Sequence, residues 1–235
     1  MSLEFHDLDA IDAVVEPFGW DFPIRYGPDI EDNWQKTAAG KTHIFNGTVL
    51  IQHRGMVDGR VFRAGYSATD YKTFLGFLRL PVASSGMRNG FGMAALRAAD
   101  GAFLLGEMGA GTANAGKIYF AAGTPDLNDV VDGKVDLAGS VIREMCEETG
   151  LAAEEVQVGQ GWTCILAEKR AAFMRPVTID LPADEVQALM RERMRALKED
   201  ELSDIVILRP GDALIDDPRL PNFVSAYIRR EFARR

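Results

Sequence analysis

"SVIREMCEETGL", Ser140 to Leu151, sets three glutamates within five residues just ahead of a glycine. From Leu137 onward, Ala138, Val141, Ile142 and Met145 recur at i, i+3, i+4 and i+7, which predicts a helix with one buried stripe. Glu144, Glu147 and Glu148 share a second face, offset by roughly a third of a turn at about 100° per residue. Gly150 is a natural left-handed residue to end such a helix.

The acids therefore fall in the last turn, against the negative end of the helix dipole. Each is expected to lose about 0.3–1 kcal/mol there. Like-charge neighbours at helical spacing add about 0.2–0.5 kcal/mol per pair. Arg143 can offset part of this by pairing with Glu147 at i+4, but one arginine cannot balance three carboxylates. An isolated helix is disfavoured by roughly 1–2 kcal/mol on these figures. A hard divalent cation reverses the sign, because Mg²⁺ and Mn²⁺ prefer carboxylate oxygens, and Mg²⁺ takes a few of them together with waters and substrate phosphates. The functional reading is a metal site that holds a phosphorylated ligand; the plainer one is a solvated acidic face.

The surrounding sequence is ordinary for a globular protein of 235 residues, nearly half apolar and about a quarter charged. No window approaches the run of about 20 apolar residues that spans a bilayer. The start, Met1-Ser2-Leu3-Glu4, has neither a basic flank nor an apolar core, so no signal peptide is expected and the chain reads as cytoplasmic, without a membrane partner. A formal charge of −9 and the lack of a basic stripe argue against a nucleic-acid polymer. Cys146 and Cys164 are too few for a disulfide framework and lack metal-ligand spacing. His6, His43 and His53 are scattered, none within a motif.

A soft boundary at Ser84 to Gly90 divides an N-terminal accessory region, residues 1–90, from residues 91–235. In the first region a short helix is predicted over Asp7 to Glu16, then loops punctuated by Pro17, Pro23 and Pro28, apolar runs, and a helix capped at Ser67. In the second, "FGMAALRAADGAFLLGEM" predicts a hairpin with Asp100-Gly101 at its tip. Further strands are predicted at Gly116 to Gly123, in "VQVGQGWTCILA" and "AAFMRPVTIDL", and in "DIVILR". Helices follow over Ala183 to Lys198 and through the C-terminal "LPNFVSAYIRREFARR". Without regular βαβ alternation, an α+β fold fits best.

Arg143 to Leu151 matches the heart of the Nudix box, Arg-Glu-apolar-any-Glu-Glu-any-Gly-apolar, at every specified position. The chain thus resembles the Nudix hydrolase superfamily over roughly residues 92 to 235. The front of the box departs from the pattern. Its glycine is expected 14 residues before the arginine, where Asp129 stands; the nearest match is Ala122-Gly123, which implies about six inserted residues near "LNDVVD". The glutamate expected eight residues before the arginine is replaced by Val135, with Asp136 one step later. A stretched box and a front domain also resemble the subgroup that cleaves UDP-sugars, with "FRAGYSATDYKTFLG", "AAGTPD" and Trp34 as the corresponding features.

The resemblance implies a Nudix-type α/β/α sandwich with mixed sheets, preceded by a smaller N-terminal α/β region. It implies hydrolysis of a nucleoside diphosphate linked to another moiety, a small-molecule substrate such as a nucleotide sugar. Glu144, Glu147 and Glu148 would ligate Mg²⁺ or Mn²⁺, with the carbonyl near Gly123 as a further ligand, and Arg143 would orient the glutamates. Glu201, in "EDELSD", is the first candidate for an acid that accepts the proton of the attacking water, against the plainer reading of a solvated loop. Trp20, Trp34 and Trp162 are candidates for stacking, and Lys169 and Arg170 for phosphate, although such residues more often belong to core and surface. The glycine-rich Glu107 to Lys117 lacks Walker spacing and reads as a long hairpin loop. A catalytically silent nucleotide sensor on the same fold is the alternative, and the N-terminal region is read as either a substrate cover or a homodimer interface.

Overall fold

A computed structural model describes residues 2–41, 44–197 and 201–234. The architecture is α+β, as the sequence predicts. Contacts group the chain into two units: residues 1–92, 124–140 and 162–173 form one, and residues 93–123, 141–161 and 174–235 the other.

The first unit opens with β1 (Glu4–Leu8) and β2 (Ala10–Val15), where a helix is expected from the sequence. Both strands pair with segments distant in sequence. β1 lies antiparallel to β11 (Trp162–Ala167), and β2 runs parallel to β4 (Val61–Asp70). Local propensity over ten residues yields to those long-range ladders. β3 (Thr48–Asp58) forms a hairpin with β4 around Gly59, whose φ of 60° suits glycine. The loop-like stretch with Pro23 and Pro28 instead forms α1 (Phe22–Arg25) and α2 (Gly27–Ala38), each proline in a first turn where its missing N–H costs nothing. The helix expected at Ser67 starts later: Ser67 is still in β4, and Asp70 caps α3 (Tyr71–Arg79) by accepting the Thr73 N–H at 3.1 Å.

Trp20 and Trp34 pack onto a core of Phe22, Ile30, Ile51, Phe74, Leu75, Phe77 and Met87, and Trp162 is buried; the tryptophans are structural here. Lys169 donates to the carbonyls of Phe77 and Leu80 at the C-terminal end of α3, at 2.8 and 2.7 Å, so its charge is engaged by a helix end. Arg170 is exposed. A cavity of about 390 Å³ beside Lys169 and Arg170, walled by Leu78, Pro81 and Val82, contains no residue of the Arg143 to Leu151 motif.

The six or so inserted residues have a definite use. After a 3₁₀ turn at Leu127–Asp129 the chain forms β8 (Val130–Val131) and β9 (Lys134–Val135), joined by Asp132 and Gly133 at φ 50° and 75°. Asp-Gly with both residues at positive φ is the favoured two-residue hairpin turn. The hairpin adds to the sheet at β2, through Val14 opposite Lys134, and Lys134 pairs with Asp12 at 3.1 Å. The sheet order is β3-β4-β2-β9-β8. His6 and His53 belong to this unit, His53 stacked on Phe18 and 3.3 Å from Glu16. His43 lies outside the described residues.

In the second unit the expected hairpin forms between β5 (Asn89–Ala98) and β6 (Phe103–Met108), with Gly101 at φ 82° in the turn. β6 also pairs with β7 (Ile118–Tyr119) and with β13 (Leu202–Leu208), and β10 (Gln157–Val158) pairs with β12 (Arg170–Ile179). α5 (Ala183–Met194) and α6 (Asn222–Ala233) flank these strands in sequence; the end of the predicted helix, Lys198, lies outside the described residues. Phe103, Phe120 and Tyr227 pack ring against ring, with centroids 5.5 to 6.1 Å apart, and fix α6 to the strands. The long connection expected over Glu107 to Lys117 runs from Gly109 to Lys117, since Glu107 and Met108 still belong to β6. Among the described residues no helix is long and apolar enough to cross a membrane.

Candidate functional site

The acidic helix is α4 (Leu137–Thr149), bounded as the sequence predicts. Asp136 starts it, accepting the Gly139 N–H at 2.9 Å, so the acid found beside the missing glutamate position is used as a helix cap. Val135, at that position, is buried. The buried stripe is rotated from the expected one. Leu137, Val141 and Met145 are buried at i, i+4 and i+8, while Ala138 is exposed. Glu148 falls on this same stripe and is only 6 % exposed. The Glu144 side chain is 16 % exposed and that of Glu147 59 %.

Arg143 reaches both of its neighbours, Nη2 to Glu144 at 2.8 Å and Nη1 to Glu147 at 2.9 Å. The segment after β7 meets the helix from the other side. Ala94 donates to the Ala121 carbonyl at 3.1 Å, which fixes that segment beside β5. The next N–H, of Ala122, donates to Glu148 Oε1 at 3.2 Å. Glu148 Oε2 is buried with no hydrogen-bond partner among the described residues. At Gly123 the backbone approaches so closely that a Cβ would fall 2.2 Å from Glu144 Oε1 and 2.3 Å from its Cδ. Only glycine fits there without moving the carboxylate. Gly123→Ala is therefore expected to displace Glu144 and lower kcat by about 10–100-fold, the scale of an ångström misplacement. A melting temperature within a few degrees of wild type would separate this from misfolding.

Burial drives the Glu148 carboxyl well above its ordinary pKa, and the charges of Glu201, Glu144 and Glu147 raise it further against the opposing Ala122 hydrogen bond. Glu201 is thus brought within electrostatic reach of Glu148 although some fifty residues separate them in sequence. It is exposed, and its carbonyl accepts the Gly109 N–H at 2.7 Å, which pins it to the start of the β6–β7 loop. Glu199, its neighbour in the acidic run, lies outside the described residues.

These side chains suit a hard cation by type: three carboxylates on one helix, one of them with a buried oxygen that has no partner among the described residues. Among the described residues no group of three or more histidines, cysteines or acids is placed to hold a metal ion.

A brace that sequence reading did not reveal closes the far end of α4. Gly150, at φ 72°, ends the helix, and its carbonyl accepts from Arg193 Nη1 at 3.1 Å. Arg193 also grips Glu155 with both terminal nitrogens, Nη2 to Oε1 at 2.7 Å, and Glu155 Oε2 accepts the Ala152 N–H at 2.8 Å. The guanidinium holds the Glu155 carboxyl at about 2, below its ordinary 4.5. A depressed carboxyl stabilises the native state above its unfolded pKa and loses that contribution as pH falls through the folded one. Since the pair is partly exposed, Glu155→Gln is expected to cost only about 0.5–1 kcal/mol at pH 7. In urea melts the gap to wild type should narrow below pH 4.5 and approach zero near pH 2.

No protein-family model matches the chain, and no curated protein matches it. Solved structures to which it is similar include the following. One is a Nudix hydrolase from M. smegmatis, RenU, at 13 % identity and a TM-score of 0.39, over 61 % of this chain and 82 % of that one. Another is a MutT protein from Methanosarcina mazei Go1, at 18 % identity and a TM-score of 0.42, over 63 % and 96 %. The third is a Bacillus subtilis pyrophosphohydrolase, BsRppH, at 13 % identity and a TM-score of 0.31, over 61 % and 80 %. In its Arg143 to Leu151 motif and its α+β architecture, the chain resembles the Nudix superfamily.

Proposed function

We propose that this chain is a metal-dependent pyrophosphohydrolase that cleaves a nucleoside diphosphate linked to another moiety, a nucleotide sugar first among the candidates. Residues 91–235 would carry the chemistry, with residues 1–90 as an accessory region. One observation carries the reading: Glu148 Oε2 is buried without a partner among the described residues, beside Glu144, Glu147 and Glu201, an arrangement that costs stability and has no packing rationale.

Glu144, Glu147, Glu148 and the Gly123 carbonyl would hold Mg²⁺ or Mn²⁺. The bound ion supplies neutralisation of the diphosphate and a more acidic water. The remaining work falls to the chain itself. Arg143 orients Glu144 and Glu147 through its two ion pairs. The Ala122 N–H fixes one oxygen of Glu148 and leaves the other free. Glu201, exposed to solvent, would accept the proton of the attacking water and release it to bulk. Water attacks one phosphorus, the bridging P–O bond breaks, and a nucleoside monophosphate leaves with the phosphorylated second moiety.

The test is turnover of a panel of nucleotide sugars and dinucleotides with Mg²⁺ or Mn²⁺, products separated by chromatography. A nucleoside monophosphate released from one substrate, and lost in Glu148→Gln, establishes the enzyme and its substrate class. Silence across the panel, with metal-dependent thermal stabilisation by one of the same ligands, assigns the chain to nucleotide sensing instead.

A further inference from the structure

We propose that Arg193 is a positioning residue for this site, holding the last turn of α4 against the end of α5. The inference rests on the reading of the site given above and extends it to a residue outside the motif.

Three observations carry it. First, Arg193 gathers three groups of one loop at its guanidinium: the Gly150 carbonyl at the end of α4, the Glu155 carboxylate, and through that carboxylate the Ala152 N–H. The loop from Gly150 to Glu155 is thereby closed against α5. Second, the approach is close in the backbone as well as the side chain, since a Cβ on Gly150 would lie 2.7 Å from the Arg193 Cβ. The contact is a fixed join of two helix ends. Third, the braced end of α4 carries candidate metal ligands: Glu147 and Glu148 lie within three residues before Gly150. Loosening the brace would let the last turn of α4 drift, and with it the positions of Glu147 and Glu148 on which both metal binding and turnover would depend.

Arginine is suited to this in a way lysine is not. Its planar fork reaches a carbonyl and both oxygens of a carboxylate at once, whereas a lysine is a single point of charge. It also sets positive charge at the negative end of α4, where the glutamates crowd.

The experiment compares wild type with Arg193→Met, Arg193→Lys and Glu155→Gln as full chains. Mn²⁺ binding is followed without substrate through the paramagnetic resonance of the free ion; kcat and KM are measured on the best substrate of the panel. Arg193→Met is expected to lower kcat at least tenfold with KM within twofold, and to weaken Mn²⁺ binding about fivefold. Arg193→Lys should recover less than half of the lost kcat, and Glu155→Gln should fall between wild type and Arg193→Met. A variant that melts at lower temperature yet keeps wild-type kcat and Mn²⁺ affinity overturns the proposal, because the brace would then serve stability alone. Where Arg193→Met does not fold, Arg193→Lys and Glu155→Gln decide by the same criteria. A wild type that neither binds Mn²⁺ nor turns over the panel sinks the reading of the site, and the positioning role with it. A wild type that does both beside unaffected variants sinks the positioning role alone.

Discussion

Glu148→Gln is expected to lower kcat about 10³-fold and, in metal-free buffer at pH 8, to raise the melting temperature. The two effects share one cause. Glu148 is buried on the core-facing stripe of α4, one oxygen has no partner among the described residues, and three acidic neighbours press on it. An ionised carboxylate there is the group a metal site needs and a metal-free core resists. Loss of a positioned acid or base costs about 10²–10⁴ in rate. A carboxyl whose folded pKa exceeds its unfolded value of 4.5 binds its proton more tightly in the native state. It is at no disadvantage at low pH, and its ionisation penalises the native state progressively as pH rises above 4.5. Glutamine keeps the shape and the Ala122 contact without the charge. Relief of about 1–2 kcal/mol corresponds to roughly 2–8 °C for a chain of this size. Melts in EDTA should show the difference at pH 8 and lose it near pH 4.5. A variant less stable than wild type at pH 8, or one that retains turnover, would falsify this account of Glu148.

Gly150→Ala should cost about 2–3 kcal/mol of stability, the largest structural penalty expected for a single methyl group in the site region. At φ 72° the residue is left-handed, which costs an alanine about 1–2 kcal/mol. The added Cβ would also meet the Arg193 Cβ at 2.7 Å, where neither atom belongs to a flexible tip. Overpacking of that kind costs about 1–3 kcal/mol. Against these, alanine stiffens the unfolded chain and returns about 0.4–1 kcal/mol. Urea denaturation with an unchanged slope and a lower midpoint would register the loss. Wild-type stability in Gly150→Ala would mean that the join between α4 and α5 yields easily, and would weaken the case for Arg193 as well.

What the sequence discloses here is what short-range chemistry decides. α4, its acids and its terminal glycine can be read because helical periodicity, charge and capping are written within a dozen residues. The Asp100-Gly101 hairpin can be read for the same reason. β1 and β2 cannot, because their partners lie about fifty to more than 150 residues away and nothing local marks the pairing. The buried face of α4 is misjudged by a fraction of a turn, and that fraction decides whether Glu148 is a surface charge or an interior one. Val141 and Met145 fit both readings; Leu137 and Ala138 exchange roles. Glu201 is visible as an acid before a strand, but its approach to Glu148 depends on where β13 pairs. Arg193 carries no signal at all, being one of two arginines on α5, with partners, the Gly150 carbonyl and the Glu155 carboxylate, some forty residues away.

The hairpin of β8 and β9 bears on where a motif of this kind can vary. Gly123 and Arg143 are 20 residues apart where the resemblance expects 14. Because closure entropy grows only with the logarithm of length, stretching that loop costs about 0.3 kcal/mol. One ladder hydrogen bond offsets as much. An extra residue between Arg143 and Gly150 would instead turn every later side chain by about 100°, carrying acids from the interior to solvent. Insertions and deletions should therefore accumulate ahead of Asp136 and be absent from α4. Recognition of distant kin by fixed spacing will fail in the loop, while the nine residues from Arg143 to Leu151 stay in step.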